Sequence, residues 1–316
     1  MTSSCGVPQG SVIGPMLFTL YTAPIHDIIL AHGLQCMLYA DDTQVYVTFK
    51  PADRADAIQR VDACIRDIRS WSGRNKLKIN DDKTEVIHFT SKFLPRALEP
   101  VMLTVGESSI TPKDQARNLG VILDEHVTMK AHVDSVCRTA MSALRKIGHI
   151  RSFLDRESTL TLIHAFVTSR LDSCNSLLAN LPMSDIQKLQ RVQNIAVRII
   201  ERVAPSAAIT PLLVNLHWLP IDKRVQFKIL FLTFKALHGS APSYISSLLQ
   251  PYIPSRTLRS QQKHLLLIPR SHTQYYGDRS FASIAPTLWN RLPIIIRTAP
   301  SLDSFKNQLK TFLFEE

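Results

Sequence analysis

The chain has 316 residues, 45% hydrophobic and 20% charged, enough for two domains with sizeable cores and typical of an ordinary globular protein. Its net charge of +11 is unevenly spread: residues 1–128 hold 13 Lys and Arg against 15 Asp and Glu, whereas residues 129–316 hold 24 against 11. A basic second half suits a polyanion, nucleic acid above all, with solvated helix faces as the plainer alternative. No apolar run reaches the roughly 20 residues that span a bilayer. The start, Met1-Thr2-Ser3-Ser4, lacks the basic flank and apolar core of a signal peptide. An intracellular protein, nuclear or cytoplasmic, is therefore expected. The cysteines, Cys5, Cys36, Cys64, Cys137 and Cys174, are widely spaced and form no C-x-x-C pair, which argues against disulfides and structural zinc. They are expected to be mostly buried.

In chain order, residues 11–32 predict one buried helix, capped at Gly10-Ser11 with Pro15 in its first turns and ending near Gly33. Residues 34–39 and 43–49 predict the arms of a β-hairpin. Residues 51–75 predict an amphipathic helix with Ala55, Ile58, Val61, Ile65, Ile68 and Trp71 on its apolar face. Short strands are expected at 77–80, 84–89, 101–105 and 118–123, completing an α+β domain. From Met129 the pattern turns helical. Val133, Val136, Ala140, Leu144 and Ile147 form one stripe, residues 158–171 a second helix, and Ile186, Leu189, Val192, Ala196, Ile199 and Val203 a third stripe. Residues 221–238 predict a fourth helix, 265–268 a strand, and 302–314 a closing helix. Prolines at 242, 251 and 254 mark a loop.

Two segments carry chemistry. Tyr39-Ala40-Asp41-Asp42 places adjacent carboxylates between two apolar runs, the pattern of a hairpin turn that holds a metal; a polar turn is the alternative. Hard Mg²⁺ prefers oxygen ligands and keeps several waters, so a few carboxylates on a rigid element suffice. Upstream, Gly6-Val7-Pro8-Gln9-Gly10-Ser11 combines loop-forming glycines and proline with polar groups at a helix start, where backbone N–H groups also point outward. Such a site can hold a template base or a nucleotide, and the reading as a capped helix is compatible with it. Lys83, after Asp81-Asp82, is a candidate proton donor to a leaving pyrophosphate, with an exposed loop lysine as the alternative. The scattered histidines offer no metal-binding spacing.

These two segments, together with Leu77-Lys78-Ile79-Asn80-Asp81-Asp82-Lys83-Thr84-Glu85, resemble the reverse transcriptases of LINE-type, non-LTR retrotransposons. Alanine in the second place of Y-x-D-D is typical of that group. Asn118-Leu119-Gly120-Val121 resembles the strand near the primer grip. Further on, Leu189-Gln190-Arg191-Val192-Gln193-Asn194-Ile195-Ala196, Leu216-His217-Trp218-Leu219-Pro220 and Ala285-Pro286-Thr287-Leu288-Trp289-Asn290 resemble stretches beyond the thumb.

The resemblance implies a partial palm over residues 1–125, a helical thumb-like region over 126–205 and a mainly helical C-terminal extension over 206–316. It implies RNA-directed DNA polymerase activity by a two-metal mechanism, with Asp41 and Asp42 as catalytic Mg²⁺ ligands and Lys83 as general acid. Gln9, Gly10 and Ser11 would touch template or nucleotide. The implied partners are an RNA template, an RNA–DNA primer duplex and dNTP; no membrane and no specific protein partner is implied. In such polymerases a third catalytic aspartate, the nucleotide-gating aromatic and the fingers lie upstream of the Pro-Gln-Gly loop. The expectation is thus an N-terminally truncated copy, inactive alone; a non-catalytic nucleic-acid-binding remnant, or a relic without a selected role, is the alternative.

Overall fold

The computed structural model describes residues 10–91, 102–105, 108–254, 264–271, 273 and 276–316. The chain is α+β, with its strands confined to the first 124 residues apart from one isolated bridge among the described residues. It divides into two compact units, Met1–Ala116 with Asp124–His126, and Arg117–Leu123 with Val127–Glu316.

In the first unit, helices α1 (Gly14–Thr22) and α2 (Pro24–Ala31) stand where one buried helix was expected. Pro24 brings no N–H and sits at the first turn of α2, so the chain breaks there. Helix α1 has no buried residue, whereas α2 buries Ile25 and Ile29. Gly33, at φ +66°, ends α2 in the left-handed conformation that favours glycine.

The hairpin follows as β1 (Gln35–Tyr39) and β2 (Asp42–Tyr46), antiparallel. Helix α3 (Arg54–Arg74) packs on it with Ala57, Cys64, Ile68 and Ser72 buried. Its apolar face is rotated from the expected one: Ala55 is exposed and Ile58 and Ile65 are half-buried. Cys64 and Ile68 join Ile25, Ile29 and Leu34 in a small core, against which Leu38, Val45, Val61 and Trp71 pack. Burial pushes the Cys64 thiol up to about 11, and the nearby Asp67 carboxylate adds to the shift.

The strands expected at 77–80 and 84–89 do not form; a single turn of 3₁₀ helix, Asp81–Lys83, lies between two extended segments. Strands β3 (Leu103–Val105) and β4 (Ser108–Ile110) pair antiparallel, so the strand expected over 101–105 forms in its described part, while residue 101 lies outside the described residues. The expected strand over 118–123 forms in part: residues 121–123 lie in β6 (Val121–Asp124), which pairs with β5 (Gln115–Asn118) across a turn at 119–120. Leu119 and Gly120 form that turn, both at positive φ, and end the first strand.

The second unit is helical, and its first long helix is α4 (Lys130–Ile150). Helix α4 buries the predicted Val133, Ala140, Leu144 and Ile147. The helix expected over 158–171 is interrupted: α5 (Arg156–Ile163) passes through a π-helical turn, His164–Thr168, into α6 (Ser169–Asp172). Helix α7 (Met183–Glu201) buries Ile186, Leu189, Val192 and Ala196 as expected, with Gln193, Val197 and Ile200 beside them. Lys188 joins α7 to α4 through Asp134 at 2.8 Å and also pairs with Asp185 at 3.0 Å; both carboxylates hold its ammonium above the usual lysine range.

Helices α8 (Ile209–Asn215), α9 (Ile221–Leu237), α10 (Ser243–Ser246), α11 (Phe281–Arg291), α12 (Ile294–Arg297) and α13 (Leu302–Glu315) complete the unit. The expected strand at 265–268 reduces to one bridge, Leu266 with Pro251. Trp289 of α11 and Phe305 of α13 lie at the centre of this core, with ring centroids 5.9 Å apart. No helix among the described residues is long and apolar enough to cross a membrane.

Candidate active-site groove

The hairpin turn has two residues. Tyr39 pairs with Asp42 across the ladder, which leaves Ala40 and Asp41 at the tip. Ala40 adopts φ +52°, a left-handed conformation that costs a non-glycine residue about 1–2 kcal/mol. Asp41 thus stands in the turn, and Asp42 opens β2. Both are exposed, and neither carboxylate has an ion-pair partner among the described residues.

Facing the turn is the start of α1. Gly14, Pro15, Phe18 and Thr19 form one wall of an open groove of about 430 Å³, and Tyr39, Ala40 and Asp41 form the other. Ser11 anchors that helix start, because its Oγ accepts a hydrogen bond from the Gly14 N–H at 3.1 Å. Helix α1 starts later than expected: Ile13 holds its N-cap position without a side-chain cap bond, and Ser11 reaches the helix only through the Gly14 N–H. Gly10 adopts φ +89°, which favours glycine, and a Cβ built there meets nothing within 4 Å. Gln9 lies outside the described residues.

The structure thus brings Asp41 to the helix whose first N–H, that of Gly14, bonds Ser11. It does not bring Lys83 there. The Lys83 backbone N–H is held by Asn80, through the carbonyl at 3.2 Å and Oδ1 at 3.3 Å, and Lys83 does not line the groove. Beside it Asp81 pairs with Arg69. Tyr39 belongs to the carboxylate motif itself, whereas the groove lining from Phe18 and Thr19 was missed in the sequence. Its signal was the spacing of Phe18 and Thr19 one turn beyond Gly14-Pro15.

Two exposed carboxylates in adjacent positions repel each other, and as hard oxygen donors they fit a divalent cation that retains water. They supply only part of such a shell: among the described residues no group of three or more His, Cys, Asp or Glu converges on one point.

The motifs downstream have a different character. Gln193, 1% exposed, donates from Nε2 to the Leu219 carbonyl at 2.9 Å, and Gln190 Oε1 accepts from the Ile221 N–H at 2.8 Å. The Gln190–Gln193 stretch therefore clamps the Trp218-Leu219-Pro220 entry into α9. Trp218 is buried, with His164 edge-on at 5.3 Å and the Arg224 guanidinium 5.5 Å from its ring. Arg224 also grips Asp172 with two hydrogen bonds, at 2.8 and 2.9 Å. In the third motif, Trp289 Nε1 donates to the His264 carbonyl at 2.9 Å, and Asn290 both donates to and accepts from the Leu266 backbone.

A family model described as reverse transcriptase (RNA-dependent DNA polymerase) matches residues 1–123. The probable RNA-directed DNA polymerase from transposon X-element of Drosophila melanogaster is 28% identical over 202 residues, 62% of this chain and 22% of that protein. The one from transposon BS of the same species is 31% identical over 163 residues, 50% of this chain and 17% of that protein. The retrovirus-related Pol polyprotein from type-1 retrotransposable element R1 of Nasonia vitripennis is 23% identical over 231 residues, 69% of this chain and 66% of that protein. The chain thus spans about a fifth of the length of the first two relatives. No solved structure matches it. Residues 1–123 thus match the reverse transcriptase family, and the relatives that the chain resembles come from transposons and a retrotransposable element.

Proposed function

We propose that this chain carries part of the active site of an RNA-directed DNA polymerase, with Asp41 and Asp42 as catalytic carboxylates and magnesium ligands. The observation that carries this reading is the groove, in which the start of α1, held by the Ser11–Gly14 bond, and the carboxylate turn form opposite walls. In this reading residues 1–125 are part of a palm, 126–205 a thumb-like region and 206–316 a C-terminal extension. The substrates are an RNA template, an RNA–DNA primer duplex and a dNTP.

Bound magnesium would supply Lewis acidity toward the primer 3′-hydroxyl and charge neutralisation at the triphosphate. The remaining work falls to the chain. Asp41 and Asp42 present oxygen donors from a turn whose geometry the β1–β2 ladder fixes. Open space at Gly10 lets a template strand approach the backbone. The Ser11 oxygen accepts the Gly14 N–H, so its O–H remains available to donate to a template or nucleotide oxygen. Gln9 adds an amide to the same loop. Lys83 gives a proton to the departing pyrophosphate, which requires its side chain to reach the incoming triphosphate.

Manganese titration, followed by paramagnetic broadening of backbone amide signals, tests the carboxylate assignment. Broadening should centre on Tyr39, Ala40 and the start of α1, and D41N/D42N should remove it. Equal broadening in parent and variant would refute the assignment.

A further inference from the structure

We propose that the face shared by α9 and α13 is a nucleic-acid contact surface, built from Lys228, Lys235 and Lys306 around Phe231. The choice of nucleic acid among polyanions rests on the polymerase reading above; the cationic cluster stands on its own observations.

The positive charge of the second half is concentrated. Between Lys223 and Pro300 the sequence holds eleven Lys and Arg and a single carboxylate, Asp278. Helix α9 sorts its own cations into two kinds. Lys223 is paired with Glu316 at 2.8 Å and Arg224 with Asp172, so these two are structural. Lys228 and Lys235 have no carboxylate partner among the described residues. They lie three residues before and four after Phe231, which puts all three on one helix face. Their ammonium groups stand 5.9 and 5.7 Å from the Phe231 ring centroid.

Helix α13 delivers a third cation to the same ring. Phe305 stacks on Phe234 of α9 at 4.3 Å, and Leu309 is fully buried, which together fix the rotation of α13. Lys306, next to Phe305, then places its ammonium 5.8 Å from the Phe231 centroid. Among the described residues, the carboxylate engaged there is Asp303, 2.9 Å from Lys306. Lys310, one turn on along the same helix, has no carboxylate partner among the described residues.

Three ammonium groups around one ring lie within about 12 Å of one another, close to the screening length of about 8–10 Å in ordinary salt. They repel, and the ring face offsets only part of that repulsion. A strand of phosphates relieves it by replacing its own condensed counterions with these fixed cations, which makes such binding steeply salt-dependent.

The test measures binding of a labelled single-stranded RNA oligonucleotide to the full chain by fluorescence anisotropy across a salt series. K228Q/K235Q/K306Q should reduce the slope of log affinity against log salt by about 2, at roughly 0.7 per phosphate contact. Raising salt from about 50 to about 200 mM should then weaken the parent about twentyfold more than the variant. K228R/K235R/K306R should restore the parent slope, which separates lost charge from lost fold. D41N/D42N should keep the full slope, so that failure at this surface is distinguishable from failure of the metal reading. An unchanged slope in the Gln variant overturns the proposal. So does a parent that ignores RNA and binds phosphatidylserine vesicles through the same lysines.

Discussion

Replacing Phe305 with alanine tests how the second unit is held together. The ring is fully buried, stacks on Phe234 at 4.3 Å and lies 5.9 Å from Trp289. Truncating a buried phenylalanine costs about 3–5 kcal/mol through lost transfer energy and the cavity left behind. The stacked partner adds about 0.5–1.5 kcal/mol, so about 5 kcal/mol is expected. That is a large share of the roughly 5–15 kcal/mol that stabilises a typical domain. With a urea dependence of about 2–3 kcal/mol per molar, the unfolding midpoint should fall by about 2 M. Fluorescence can isolate this unit, because Trp218 and Trp289 lie in it and Trp71 lies in the other. Unfolding followed in a Trp71→Phe background should show the full shift, and Phe305→Leu should recover more than half of it. A loss below about 1 kcal/mol in F305A would mean that α13 is not seated through this ring.

Gln193→Leu should destabilise the same unit by about 1–2 kcal/mol in the same urea assay, because the buried Leu219 carbonyl loses one of its two donors. Ala40→Val should weaken the first unit by about 1–2 kcal/mol, with Ala40→Gly at or above the parent, since only the turn conformation at φ +52° separates them. Burial, with a nearby arginine in each case, holds the His132 and His164 imidazoles below their ordinary value of 6.5. The unfolded chain therefore binds more protons in the window just below that value, and stability should rise from about pH 5 to about pH 7. Urea midpoints of H132Q/H164Q should show a flatter rise. Alkylation at mildly basic pH, read by mass spectrometry, should modify exposed Cys174 well before Cys64 or Cys137, whose thiols burial pushes up to about 11.

Long amphipathic helices were the most legible part of the sequence, and short strands the least. The stripes of α4 and α7 recur over several turns, so one helix face is specified many times over. Residues 84–89 alternate like a strand, yet alternation names a face and not a partner. Here the segment receives a backbone bond at Val86 from Lys113 and makes one from Thr90 to Glu125, too few to build a ladder. Helix α3 was located but rotated, because Ala55, Ile58 and Ile65 compete with Ala57 and Cys64, while Ile68 serves both faces. The apolar surface of α2 and the hairpin, and not hydropathy along α3, decides which set is buried. Pro24 carried a readable signal, since a proline nine residues after Pro15 forbids one unbroken helix.

The motifs that carry the family resemblance do two different kinds of work, and burial separates them. Gln190, Gln193, Trp218, Trp289 and Asn290 are buried or half-buried, and each bonds or packs within the second unit. Their identities follow from the need to satisfy the Leu219, Ile221, His264 and Leu266 backbone in segments where helices begin or chains pass each other. A substitution there acts on stability first. Asp41 and Asp42 are the opposite case. They are exposed, unpaired among the described residues and adjacent to a strained Ala40, an arrangement that favours neither packing nor electrostatics within the chain itself. Polar turns commonly place Asp where its side chain bonds local backbone, and no such bond forms at either carboxylate among the described residues. Local folding among the described residues therefore gives no reason for two aspartates at this tip, and this is why the magnesium-ligand proposal rests on them.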